Sequence, residues 1–320
     1  MIKQTMKAVV LEQFGGTGHL SLQDVPVPQP AEGEVLVRVK AIGINPVDCK
    51  TRMGKGAASS LQLPAILGWD IAGEVVAAGS GTMKFKTGDH IFGMSRFPRQ
   101  AAAYAEYAVV LESEFAMIPP ALSFEEAAAL PLAGLTAWQG LFEEIDIREG
   151  ERLLVHAAAG GVGHIAVQLA KAKGAYVIGT ASSDNHDFLK QLGIDECIDY
   201  RRQDFEDQLS QPVDAVFDGM GGETGRRSLS VIRKGGRLLS LPSRFRDDPE
   251  MLRLAGEKDI QVKWFLVHPD GGNMQSLADM AGEGKLSVEV AATFPLEKMA
   301  QAHRQIETGH TRGKIVVVNN

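Results

Sequence analysis

Apolar and polar positions change their period along the chain, and the change divides it. From Met6 to about Pro120 the apolar residues fall in short alternating runs broken by glycine and proline, which predicts strands and turns with little helix. Val35, Val37, Val39 and Ala41 line one face of a strand, and Arg38 and Lys40 line the other. Ile71 to Ala77, His90 to Met94 and Tyr107 to Leu111 are further strands, so an all-β, barrel-like unit is expected. From about Ser123 the pattern turns helical, with Glu125, Glu126 and the alanines Ala127 to Ala129. Strands are then expected at Leu153 to Val155, Tyr176 to Thr180, Val213 to Phe217, Arg237 to Leu241 and Val262 to Val267, separated by helical segments. That alternation predicts a doubly wound parallel α/β sheet. An amphipathic helix over Leu296 to Ile306 and a strand at Lys314 to Val318 are expected to return to the first unit. The expected domains are therefore 1–122 with 268–320, and 123–267.

The period switches most sharply at Arg152 to Gly163. A buried strand runs into His156-Ala157-Ala158-Ala159-Gly160-Gly161-Val162-Gly163, after which Val162, Ile165, Ala166, Leu169 and Ala170 recur at helical spacing. Gly160 and Gly161 let the backbone approach a pyrophosphate, Gly163 lets helix and strand pack closely, and the helix N-terminus favours the anion. Ala159 and Val162 belong to the same turn. Ala158 stands where the first glycine of the usual pattern would be, but the second strand follows at the spacing a βαβ unit needs. A dinucleotide site is the expectation.

Composition narrows the partners. The chain has 320 residues, long enough for two cores, with 44% hydrophobic and 23% charged residues and a net charge of −7. That balance disfavours nucleic acid and anionic membrane surfaces and favours a small-molecule partner. Cys49 and Cys197 have no metal-type or disulfide-type spacing. The N-terminal segment lacks the apolar region of a signal peptide, and no window reads as a membrane span, so a cytoplasmic address is expected.

Several segments together resemble the zinc-independent, quinone oxidoreductase-like branch of the medium-chain dehydrogenase/reductase superfamily. They are Gly43-Ile44-Asn45-Pro46-Val47-Asp48, Leu67-Gly68-Trp69-Asp70-Ile71-Ala72-Gly73, Leu130-Pro131-Leu132-Ala133-Gly134-Leu135-Thr136-Ala137-Trp138, the glycine turn, and Arg312-Gly313-Lys314. The resemblance implies a discontinuous GroES-like catalytic domain, a Rossmann cofactor domain and a homodimer, the dimer pairing through Val262 to Val267. Zinc-dependent relatives carry a cysteine and a histidine where this chain has Asn45 and Trp69, and tryptophan cannot ligate a metal. No zinc is expected.

The second strand ends in Thr180-Ala181-Ser182-Ser183 rather than in the acid that reads an NAD ribose. Thr180, Ser182, Ser183 and Asn185 are candidate contacts for a 2′-phosphate, which favours NADPH; Asp184 reading a ribose hydroxyl, hence NADH, is the alternative. The resemblance adds Tyr200 on the adenosine side, Lys314 near the phosphates, and Asn45 and Thr136 beside the nicotinamide. Without a metal, charge developing on the acceptor oxygen needs hydrogen-bond donors, and Asn45 can donate. Such a site suits quinones and α,β-unsaturated carbonyls better than simple alcohols. Asp48 is a catalytic candidate or a turn cap. Lys50 reads as an enolate stabiliser or solvated surface, Cys49 as a reactive or an inert thiol, and Trp69, Phe97 and Tyr104 as a ring pocket or core. A nucleotide-binding protein with little turnover, or a zinc-free alcohol or carbonyl oxidoreductase, remains the alternative function.

Overall fold

The computed structural model describes residues 3–319. The chain forms two compact units, one running to Leu135 and resuming at His268, the other Thr136–Val267.

In the first unit, β1 (Thr5–Leu11), β2 (Leu20–Pro26), β3 (Glu34–Ile44), β4 (Ala65–Ile66), β5 (Asp70–Ala78), β6 (His90–Met94), β7 (Tyr107–Leu111) and β8 (Phe115–Met117) precede the crossing into the second unit. Three of the strands form a small sheet ordered β2-β1-β4. The alternation read in β3 is real: Val35, Val37 and Val39 enter the main core beside Ile71, Ile91 and Phe115. Leu36, on the opposite face, is buried as well, in a second cluster with Met6, Ala8 and Tyr107. β3 is thus covered on both sides, and each such aliphatic side chain contributes about 1.5–3 kcal/mol of burial. Register shifts between Leu36 and Val37 and between Val39 and Ala41 re-aim its second half. The helix Phe124–Ala129, opened by a Ser123/Glu126 capping box, packs on β3 and β5. It approaches so closely that a Cβ on Gly43 would lie 2.2 Å from the Ala128 carbonyl oxygen. That packing puts the first unit's border at Leu135, later than the 122/123 boundary drawn from the sequence.

The second unit holds β9 (Arg152–His156), β10 (Tyr176–Ala181), β11 (Glu196–Asp199), β12 (Val213–Asp218), β13 (Ile232–Ser240) and β14 (Gln261–Lys263). They form one parallel six-stranded sheet in the order β11-β10-β9-β12-β13-β14. This is the doubly wound Rossmann arrangement, in which order reverses beside the first strand and ligands bind past the strands' C-terminal ends. The expected strand Val262 to Val267 shortens to Gln261–Lys263, and Leu266 is 59% exposed. An apolar run without a pairing partner beyond Lys263 does not hold extended ladder geometry.

Back in the first unit, β15 (Val290–Pro295) and β16 (Lys314–Val318) complete a seven-stranded sheet, β15-β16-β3-β5-β6-β8 with β7 also on β3. The helix expected over Leu296 to Ile306 begins as a single 3₁₀ turn and continues as Met299–Glu307.

Candidate active site

The antiparallel register of β16 on β3 sets Ile315 opposite Ile44, and this brings Lys314 beside Asn45, the residue that follows β3. Asn45 is extended and caps the helix Pro46–Arg52, with proline at its start where a missing N–H costs nothing. Asp48 Oδ2 accepts the Asn45 backbone N–H at 2.6 Å, which is the turn-capping role. The Lys314 ammonium donates to Asn45 Oδ1 and, at 3.1 Å, to the Ile44 carbonyl. An ammonium can only donate, so the amide oxygen must face it and the amide nitrogen must face away. That nitrogen donates to Asp70 Oδ2 at 2.8 Å, and Lys314 Nζ stands 3.9 Å from the same oxygen. Asp70 Oδ1 accepts the Leu132 N–H at 3.0 Å, near the start of the helix Pro131–Trp138.

Asn45, Asp48, Asp70 and Lys314 are all buried. Burial pushes the Asp48 carboxyl up to about 8, with the Asp70 charge adding to the rise and the Asn45 N–H, Lys314 and Tyr104 opposing it. Burial likewise pushes Asp70 up to about 6 against the pull of Lys314 and Asn45, and it lowers Lys314 against the two carboxylates. Lys314, expected at the cofactor phosphates, has its ammonium inside this cluster.

In the second unit β9 ends at His156, and the chain turns through Ala157 at φ +54. The Gly160 N–H donates to the Ala157 carbonyl at 2.9 Å, and the helix Gly163–Ala172 follows. A Cβ on Gly163 would lie 2.2 Å from that carbonyl oxygen, so only glycine lets helix and strand meet. Ala158, the departure from the usual pattern, is accommodated from the neighbouring strand: a Cβ on Gly179 would lie 2.7 Å from the Ala158 Cβ. Ala159 is buried, while Gly160, Gly161 and Val162 are partly exposed. A peptide turn of this shape, opening a helix with unclosed amides, fits a pyrophosphate.

Past β10 the expected hydroxyls do not all face outward. The Ser228 hydroxyl donates to the Thr224 carbonyl at 2.7 Å, so it accepts from His156 Nε2 at 2.9 Å. His156 Nδ1 is then the acceptor, and the Thr180 hydroxyl donates to it at 3.0 Å. Thr180 is therefore turned inward, which corrects its assignment as a 2′-phosphate donor. Ser182 accepts from Asn185 Nδ2 at 3.1 Å, and Ser183 donates to Asp199. Tyr200 is 53% exposed, with the Arg201 guanidinium 5.8 Å from its ring centre. Arg201 Nη1 also stands 3.8 Å from Asp184 Oδ2. Sequence reading missed Arg201, although an arginine beside this strand end is the usual partner of a 2′-phosphate.

The remaining candidates sort cleanly. Cys49 is buried, and burial with the nearby Asp48 and Glu307 charges pushes its thiol up to about 12, an inert thiol. Trp69 is core: Nε1 donates to the Arg99 carbonyl at 2.7 Å and the ring meets Phe97 edge-on. Tyr104 is fully buried, Lys50 is exposed, and Thr136 is buried in the second unit. Among the described residues no group of three or more histidine, cysteine, aspartate or glutamate side chains could hold a metal ion. At the two positions where the resemblance sets the zinc ligands of zinc-dependent members, the Asn45 amide is held by Lys314 and Asp70 and the Trp69 indole donates to Arg99, so these two side chains do not fit zinc. No described helix is long and apolar enough to cross a membrane.

Comparison with known proteins gives the following. Residues 31–120 match the family described as alcohol dehydrogenase GroES-like domain, and residues 192–317 match that described as zinc-binding dehydrogenase. The chain is 35% identical to the NADPH-dependent alkenal/one oxidoreductase, chloroplastic, of Arabidopsis thaliana, over 99% of this chain and 80% of that protein. The structure of the quinone oxidoreductase from Coxiella burnetii superposes with a TM-score of 0.92 at 39% identity, covering 98% of this chain and 99% of that one. The Escherichia coli quinone oxidoreductase complexed with NADPH superposes with a TM-score of 0.85 at 30% identity, covering 98% of this chain and 99% of that one.

Proposed function

Because the chain belongs to the medium-chain dehydrogenase/reductase family, in its quinone oxidoreductase-like branch, we propose that it is an NADPH-dependent reductase of quinones or α,β-unsaturated carbonyls that works without a metal. The observation that carries this reading is the fixed Asn45 amide. One of its two N–H bonds is given to Asp70 and its oxygen is held by Lys314, so the amide cannot flip and the second N–H has a defined direction. NADPH, when bound, supplies hydride from C4 of its nicotinamide. Hydride addition leaves negative charge on the acceptor oxygen, and a pre-aimed donor stabilises that charge without reorganising. Quinones and enones suit a donor of this strength because their reduced oxygens are already delocalised; a simple alcohol would need a stronger group to lower its hydroxyl pKa.

The amides of Gly161, Val162 and Gly163 would hold the pyrophosphate, with Gly160 closing the turn onto Ala157 and Ala159 packed beneath them. Ser182, Ser183, Asn185 and Arg201 would surround the 2′-phosphate, Tyr200 would lie against the adenosine, and Thr136 would pack near the nicotinamide. Lys314 acts through Asn45 and Asp48 through the Asn45 backbone. The family name refers to zinc, but the donor set here does not suit it, and we assign it no part. The exposed Leu266 and the half-buried Trp264 and Phe265 after β14 support a homodimer formed through that sheet edge, and two free cysteines are in keeping with a reducing, cytoplasmic address.

The test is oxidation of NADPH and NADH by purified protein with a benzoquinone, a naphthoquinone, an enone, an enal and a simple aldehyde. NADPH-preferring turnover of quinone or enone, with the aldehyde inert, is expected. Binding of NADPH with no acceptor consumed would overturn the reading. Stoichiometric zinc in the protein, with activity lost to a chelator, would overturn its metal-free part.

A further inference from the structure

Asp48 Oδ2 is accounted for by the Asn45 N–H, but Oδ1 is buried with no hydrogen bond of good geometry. An ionised carboxylate oxygen left so in a core is costly. The same core contains a donor with a proton left to give, and its direction can be worked out link by link.

Arg52 is 2% exposed, on the helix Pro46–Arg52. Its guanidinium pairs with Glu307 and donates to the Gly15 carbonyl at 2.6 Å. Its Nε–H points at His303 Nδ1, 3.2 Å away. A guanidinium does not lose its proton, so Nδ1 must be the acceptor. The other neighbour of Nδ1 is the Cys49 thiol at 3.4 Å, whose proton also has the His303 carbonyl within reach at 3.8 Å. Burial and the Arg52 charge hold His303 down at about 3, so the ring is neutral and its proton sits on Nε2. Nε2 is 2.9 Å from the Tyr104 oxygen, which therefore accepts. The Tyr104 hydroxyl has one proton remaining, and the carboxylate within its reach is Asp48.

We propose that Arg52, His303 and Tyr104 form a one-way hydrogen-bond chain that aims the Tyr104 proton at Asp48 Oδ1 and so opposes protonation of the buried carboxyl that orients Asn45. A protonated Asp48 would donate from Oδ1 to the Tyr104 oxygen, leaving the tyrosine proton without an acceptor unless the histidine proton moved to Nδ1, against Arg52. The arginine thus disfavours the acid form from three residues away. The ionisable groups facing Asp48 are Asp70, Lys314, Tyr104 and Cys49; those facing His303 are Arg52, Cys49 and Tyr104, with Glu307 behind Arg52. The three are positioning residues: they reach the reacting atoms only through Asp48 and Asn45. The catalytic consequence rests on the reading of Asn45 given above, whereas the direction of the chain does not.

The first measurement is the side-chain ¹⁵N spectrum of His303 in the unaltered protein across the neutral range. A neutral ring protonated on Nε2 is expected, and a ring protonated on Nδ1 would overturn the chain. The second follows the Asp48 carboxyl by ¹³C in the native protein and in Tyr104→Phe, which keeps the ring that packs against Gly68 and removes only the hydroxyl. Losing the donor should raise the Asp48 midpoint by about one pH unit, and an unmoved midpoint would overturn the proposal. The acid limb of kcat/KM should rise with it while the affinity for NADPH stays unchanged. If the carboxyl midpoint moves and the turnover profile does not, the chain stands and the role given to Asn45 fails.

Discussion

Each unit buries a histidine whose tautomer is fixed by its neighbours, yet the two networks end differently. In the second unit Thr180 donates to His156, His156 to Ser228, and Ser228 to a backbone carbonyl. Every member is neutral, and the network ends on a backbone carbonyl, which cannot titrate. In the first unit the chain starts at a guanidinium and aims at a carboxylate that already faces a second carboxylate and an ammonium. Both histidines are pushed down to about 3 by burial, the nearby Arg227 or Arg52 adding to the fall. The histidine therefore does not distinguish them; the far end of the network does. A closed neutral network holds two strands and a helix together, whereas one that terminates on an ionisable group couples packing to protonation.

Breaking the two networks should separate these roles. The largest effect is expected at Arg52→Ala, which strands a buried histidine and the Glu307 carboxylate and should destabilise by about 3–5 kcal/mol in urea denaturation. Ser228→Ala, its counterpart, should cost about 1–3 kcal/mol and leave the pH profile of turnover in place. Asn45→Ala should lower kcat/KM for an enone by about 10²–10³ at nearly unchanged NADPH affinity; unchanged turnover would remove Asn45 from the mechanism. A smaller effect concerns pH. Asp48 titrates at 3.8 unfolded and about 8 folded, so between those values the folded state keeps a proton the unfolded chain has released. Its contribution to stability therefore falls as pH rises through that window, and Asp48→Asn should flatten this part of the curve. The neutral network contributes only on the acid side, where the folded state keeps His156 unprotonated below 6.5. Smallest, Arg201→Ala should reduce the NADPH over NADH preference by about tenfold, while Thr180→Val, whose hydroxyl faces His156, should leave it unchanged.

Much of this molecule could be read from periodicity. His90–Met94, Tyr107–Leu111 and Lys314–Val318 were legible as strands because each is a short apolar run bounded by turn residues, and the glycine turn was legible because its spacing answers to a steric need. β15 escaped because its Val-Ala-Ala-Thr-Phe-Pro run has weak alternation, although the register with β16 makes it a strand. Within the site, Asn45 could be named but not the groups that hold it. Lys314 lies 269 residues away, and only the register of β16 on β3 brings it near. Arg52 and His303 were not singled out from the sequence. The available signal was on the helix Met299–Glu307, where His303 shares the buried side with Met299 and Ala302. A polar residue on an apolar face is the mark of a buried partner. Thr180 misled for the opposite reason: residue type suggested a ligand, and packing against His156 turned it inward.

The Lys314 contact with Asn45 has a consequence for synthesis. A ribosome releases β3 and Asn45 early, but the lysine that holds the amide belongs to β16 and emerges 269 residues later. Until then β3 lacks the neighbour it shares with β15, and Asp70 lacks the cation that offsets its burial. The whole second unit can be made and folded while the first still waits for its final strand. A chain released before Lys314 would carry a complete glycine turn in its second unit and an unheld Asn45 in its first, so the order of translation makes the orientation of that amide a late acquisition.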